Sequence, residues 1–186
     1  TETYDNSDYT YSAYGLFGAA GKGAEFKNLN IDSPYIKLDQ AKNTGALLGG
    51  IAYAGNGKLV KISNVNVTNA EISANARVGG IVGWVIDSIK GVEISDCTVT
   101  GDISAVYNTA VNDDGDKAGG IAGLVSSDCF ISNCKYSDGT VLAFREAAGI
   151  LGYAAGGSVA VTESTVADTT IIQDKTVSVS SDPNCG

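Results

Sequence analysis

Histidine and methionine are absent from this chain of 186 residues, proline occurs twice, and 12 Lys and Arg face 21 Asp and Glu. Each shortage excludes something. Without histidine there is no Ser-His or Cys-His nucleophile pair and no imidazole for zinc. A net charge of −9 lacks the positive footprint that draws phosphate backbones or anionic lipid, which argues against nucleic acid as a partner. No apolar stretch approaches the roughly 20 residues that a membrane-spanning helix needs. The apolar runs are short, rich in Ile, Val and Thr, and set among 24 glycines, a pattern that predicts strands.

What is present is repetition. An apolar pair framed by small residues occurs as Gly15-Leu16-Phe17-Gly18, Ala46-Leu47-Leu48-Gly49, Gly80-Ile81-Val82-Gly83, Gly120-Ile121-Ala122-Gly123 and Gly149-Ile150-Leu151-Gly152, with first residues 31, 34, 40 and 29 positions apart. A second marker follows each tetrad, beginning at Phe26, Ile62, Ile94, Ile131 and Val161. One supersecondary unit repeated five times, with loops of unequal length, predicts a solenoid. In Ile94-Ser95-Asp96-Cys97-Thr98-Val99 the apolar positions fall three apart and then two apart, so a straight strand cannot direct all three inward. The chain must bend at Asp96, and at Asn28, Asn64, Asn133 and Glu163 in the other copies, residue types that mostly tolerate unusual backbone angles. A third short element follows at Ile36, Ile72, Ile103, Val141 and Ile171. The expected fold is an all-β, right-handed parallel β-helix of about five coils, three short strands per coil. Residues 1–13 form a lead-in or cap, 14–172 the coils, and 173–186 a capping strand and tail.

Gly79-Gly80-Ile81-Val82-Gly83, followed by the marker from Ile94 to Ile103, resembles the GLUG-motif repeat of bacterial surface proteins. That repeat is found in adhesin-like proteins, in surface proteins of Bacteroidetes and in non-catalytic parts of immunoglobulin A peptidases. The resemblance implies a secreted or cell-surface module, with a cell-surface protein or glycan as partner and flanking domains in a longer chain. It brings no catalytic residue with it.

The residues themselves offer few chemical sites. Asp102, Asp138, Glu163 and Asp168 are candidate paired acids for a polysaccharide-cleaving β-helix, but link and bend positions are ordinary places for solvated carboxylates, and the expected activity is non-enzymatic. The alternatives are a carbohydrate-active enzyme and a structural spacer. No cofactor is called for, although the loop Asn112 to Asp116 offers Asp113, Asp114 and Asp116 as oxygens for Ca2+. Four cysteines allow three pairings. Cys97 and Cys134 share a place in successive copies and read as small apolar fillers, whereas Cys129 and Cys185 are candidates for a disulfide closing the carboxy-terminal end. The tetrad strand is apolar on both faces, so Val82, Trp84, Leu124, Leu151 and Tyr153 are expected to form an outward stripe for a protein or sugar ligand, or to be covered.

Overall fold

The computed structural model describes residues 13–21, 23–38, 43–51, 59–86, 91–106 and 116–174. They build three parallel sheets and, among the described residues, no helix. Sheet A stacks Ala13–Tyr14, Asn43–Gly45, Arg77–Gly79, Lys117–Gly119 and Glu146–Ala148. Sheet B, built from the tetrads, stacks Phe17–Ala20, Leu48–Ile51, Val82–Val85, Ala122–Val125 and Leu151–Ala154. Sheet C has nine strands and carries the second marker and the third element together, unbroken in one coil as Val60–Ala74. The architecture is the expected one, that of a right-handed parallel β-helix, rising through about four turns.

Like residues stand over like. Phe26, Ile62, Ile94, Ile131 and Val161 form one file through sheet C. At the turn into sheet B, Leu48 N donates to Ile81 O, Ile81 N to Ile121 O and Ile121 N to Ile150 O, so the tetrad's apolar residues climb in one file too. Leu47, Ile62, Ile81, Ile94, Ile121 and Ile131 are 0–1% exposed, and each contributes roughly 1.5–3 kcal/mol by leaving water.

The bend column lies where the apolar parity places it. Asn28, Asn64, Asp96, Asn133 and Glu163 have φ of 56, 49, 55, 49 and 51°. Amide and carboxylate side chains stack at this corner, Asn64 Nδ2 donating to Asn28 Oδ1 at 2.8 Å and Asn133 Nδ2 to Asp96 Oδ1 at 2.7 Å. A second left-handed corner follows at Ser33, Asn69, Gly101, Asp138 and Asp168, which lets the third element stay within sheet C instead of starting a new sheet.

Sheet A is the element that the repeat pattern did not announce. Its strands are two or three residues long, and they lie directly against sheet B. A Cβ on Gly123 would come within 2.6 Å of Gly83 O and 2.8 Å of Val78 N, and one on Gly152 within 2.8 Å of Ala118 O. The last glycine of the second to fifth tetrads therefore rests on the sheet A backbone one coil below. The first tetrad position meets the opposite wall: a Cβ on Gly80 would strike the Val99 side chain, one on Gly120 the Tyr136 ring, and one on Gly149 the Val166 side chain. The tetrad strand is apolar on both faces because both are covered.

This close approach makes a specific demand on side-chain size. Gly123→Ala is expected to lower unfolding stability by about 1–3 kcal/mol, because the obstacle is backbone and cannot swing aside. At Gly18, in the first coil, an added Cβ would meet only Ala13 O at 3.4 Å, and Gly18→Ala is expected to stay within about 0.5 kcal/mol. Parallel urea titrations of the two variants check the difference.

Candidate functional site

Charge and aromatic surface meet where sheet A begins and sheet B ends. The arch between them turns through a short bend, so the first residue of an A strand faces the third residue of a B strand. In sheet A this position is held by Asn43, Arg77, Lys117 and Glu146 in one file. In sheet B it is held by Gly50, Trp84, Leu124 and Tyr153. The Arg77 guanidinium carbon lies 4.3 Å from the centre of the Trp84 ring, and Lys117 Nζ lies 5.1 Å from that of Tyr153.

Two cations one strand apart repel each other, and the surroundings compensate. Arg77 Nη1 donates to Asn43 Oδ1 at 3.3 Å, and Lys117 Nζ sits 3.5 Å from Glu146 Oε2. The indole Nε1 of Trp84 donates to Ser126 Oγ at 3.1 Å. The Lys117 side chain is only 8% exposed against 39% for Glu146, so the ammonium is held by ring face and carboxylate instead of water. The cluster lies where the strands of sheet A begin and those of sheet B end.

The expected apolar stripe divides and mostly retreats inward. Val82 is fully buried and shares a file with Ala122 and Leu151, while Trp84, Leu124 and Tyr153 form the neighbouring file. Leu124 is 6% exposed, Trp84 and Leu151 are half-buried, and only Tyr153, in the last coil, is open at 43%. Val82 belongs to the hydrophobic core, and Arg77 and Lys117 of sheet A lie over Trp84 and Tyr153. Arg77, Lys117, Asn43 and Glu146 were not anticipated as partners of the aromatic residues; the recurrence of a cation two residues before paired glycines, as Arg77-Val78-Gly79-Gly80 and Lys117-Ala118-Gly119-Gly120, was the available signal.

The candidate acids have structural tasks. Asp138, Glu163 and Asp168 hold left-handed corners, and Asp102 Oδ1 accepts the Thr140 backbone N–H at 2.8 Å. Of the proposed calcium oxygens, Asp113 and Asp114 lie outside the described residues and Asp116 is 2% exposed. Among the described residues no three His, Cys, Asp or Glu are grouped to hold a metal ion.

Cys97, Cys129 and Cys134 are buried free thiols, and Cys185 lies outside the described residues. Cys97 Sγ donates to Ser95 O at 3.1 Å and Cys134 Sγ to Ser132 O at 3.3 Å, and the influence of each side chain on the other raises Cys97 and lowers Cys134. Burial, with a smaller contribution from Cys134, pushes Cys129 up to about 12.

Two measurements follow from these surroundings. Trp84 is the single tryptophan, so removing its cover by Arg77→Ala should red-shift the intrinsic fluorescence, while Lys61→Ala on the outside of sheet C leaves it unchanged; a double-mutant cycle of Arg77 and Trp84 should give a coupling of about 0.5–2 kcal/mol. Cys129 is raised in the folded state, so its contribution is complete below its ordinary value of 9.0 and is lost as pH rises toward about 12. Over that range the stability of the native chain should fall more steeply than that of Cys129→Ala, as followed by urea titration at each pH. No protein-family model, curated protein or solved structure matches this chain.

Proposed function

We propose that this β-solenoid is a non-enzymatic module of a bacterial surface or secreted protein, serving adhesion by presenting rigid faces to a glycan or protein ligand. The resemblance to GLUG-motif repeats supplies the location and the general role. The observation that carries the reading is the way the polar groups on the outer side of sheet C hold one another in place. Asn66 Nδ2 donates to Asn30 Oδ1 at 3.1 Å, Thr98 Oγ1 to Asn66 Oδ1 at 2.7 Å and Thr68 Oγ1 to Asp32 Oδ1 at 2.9 Å. Such ladders fix hydroxyl and amide groups at the strand spacing of about 4.8 Å before any ligand arrives, which lowers the ordering cost of binding. Tyr153, 43% exposed, and the half-buried Trp84, each held on one ring face by a cation, offer the rest of their ring surface for stacking on sugars.

The acids that a hydrolase or lyase would use are engaged in corners and backbone contacts, which favours a binding role over cleavage. A glycan and surface-protein array probed with the purified chain, run beside an assay for released reducing ends, tests the reading. The expected result is retention of at least one ligand class without release of reducing ends, with retention falling about tenfold or more in Trp84→Ala/Tyr153→Ala. Release of reducing ends that disappears when Asp102 or Asp138 becomes Asn would point to the enzyme instead, and retention of no ligand would point to a spacer.

A further inference from the structure

The ends of the solenoid differ from its middle. In all three sheets the first and last strands are paired on one side only among the described residues. Files that are sealed inside the coils open at these ends: Phe17 is 42% exposed at the amino-terminal end, and Val166 and Ile171 are 44% and 49% exposed at the other, while Val67, Val99, Ile72 and Ile103 in the same files are 0–1% exposed.

The hydrogen-bond ladders have a direction. In each amide rung of sheet C the upper coil donates to the lower: Asn64 to Asn28, Asn133 to Asp96, Asn66 to Asn30 and Thr98 to Asn66. Asn28 and Asn30 spend their oxygens on the coil above, which leaves the amide NH2 of each for a coil below. The last coil ends the same two files with acceptors, the Glu163 carboxylate and the Thr165 hydroxyl. The NH2 groups at one end and the acceptors at the other are complementary, and four rungs inside the solenoid run in the same sense.

From this complementarity we propose that the carboxy-terminal coil of one copy seats the amino-terminal coil of a second copy, head to tail and in register, continuing the solenoid across the junction. Extending the files places Phe17 over Leu151, Ile31 over Val166 and Ile36 over Ile171. Asn28 then donates to Glu163 and Asn30 to Thr165. Both corners match as well, since Asn28 and Ser33 have the same left-handed backbone as Glu163 and Asp168. No like charges meet in the first strand of sheet C, where Glu25 falls over Ala160 and Lys27 over Thr162. Such a contact joins two different surfaces and does not close on itself, so it generates open chains of copies. It is independent of the adhesion reading.

Sedimentation velocity of the full chain from micromolar to millimolar concentration tests this, with negative-stain microscopy of the most concentrated sample. The expected result is a mass that grows past the dimer with concentration, and unbranched rods. Ile171→Lys and Phe17→Lys each block one end at an exposed position, and either variant alone should associate about tenfold or more weakly. Mixed, they should form a dimer that grows no further, because each retains the end the other lacks. A wild-type chain that stays monomeric throughout would overturn the proposal. A wild-type dimer that does not grow, or one that survives unchanged in either single variant, would overturn it in favour of a symmetric contact. Far-UV circular dichroism confirms that the variants fold, and the wild-type mass distribution decides the matter if one does not.

Discussion

The distance between two backbones governs this solenoid. Sheets A and B approach so closely at Gly123 and Gly152 that a single added carbon would enter the van der Waals space of peptide atoms in the coil below. Peptide groups cannot adopt another rotamer to make room, so the sequence must supply glycine at that position in coil after coil. The same closeness explains why the tetrad strand is apolar without regard to parity. Its faces look onto sheet A and onto the core, and neither meets water, as in parallel sheets buried on both sides.

The outer wall is built on a different device. Sheet C turns its corners through residues with positive φ, and the left-handed conformation costs about 1–2 kcal/mol for a side chain that does not suit it. Asn and Asp lower that cost through local hydrogen bonds, and here they add a longer-range one, because the corner residue of one coil reaches the corner residue of the next. The acids at Asp96, Asp138 and Asp168 belong to this arrangement. Their spacing comes from the pitch of the corners, so a carboxylate column on such a fold does not by itself indicate catalysis.

The cation and aromatic pairs at the arch mouth follow from both devices. Because the bend is short and the sheets touch, the first residue of an A strand and the third of a B strand are held within reach. Arg77 with Trp84 and Lys117 with Tyr153 use that reach. Neither pair was legible from strand periodicity. Arg77 and Trp84 are seven residues apart, and Lys117 and Tyr153 belong to different coils, so only the folded arch makes them neighbours.

The repeat, the parallel coil, the files of Ile and Val, and the corner at Asn28, Asn64, Asp96, Asn133 and Glu163 are legible in the order of residues. Each of these is a local periodic property, since the order of apolar and polar residues along a strand dictates which side faces inward. Only the folded chain shows that a short third sheet lies against the tetrad strand, and that Val82 and Leu124 are buried while Tyr153 is open in the last coil. The reason is physical: a two- or three-residue strand is too short to display a period of its own, and whether an apolar face is exposed depends on what another part of the chain lays against it.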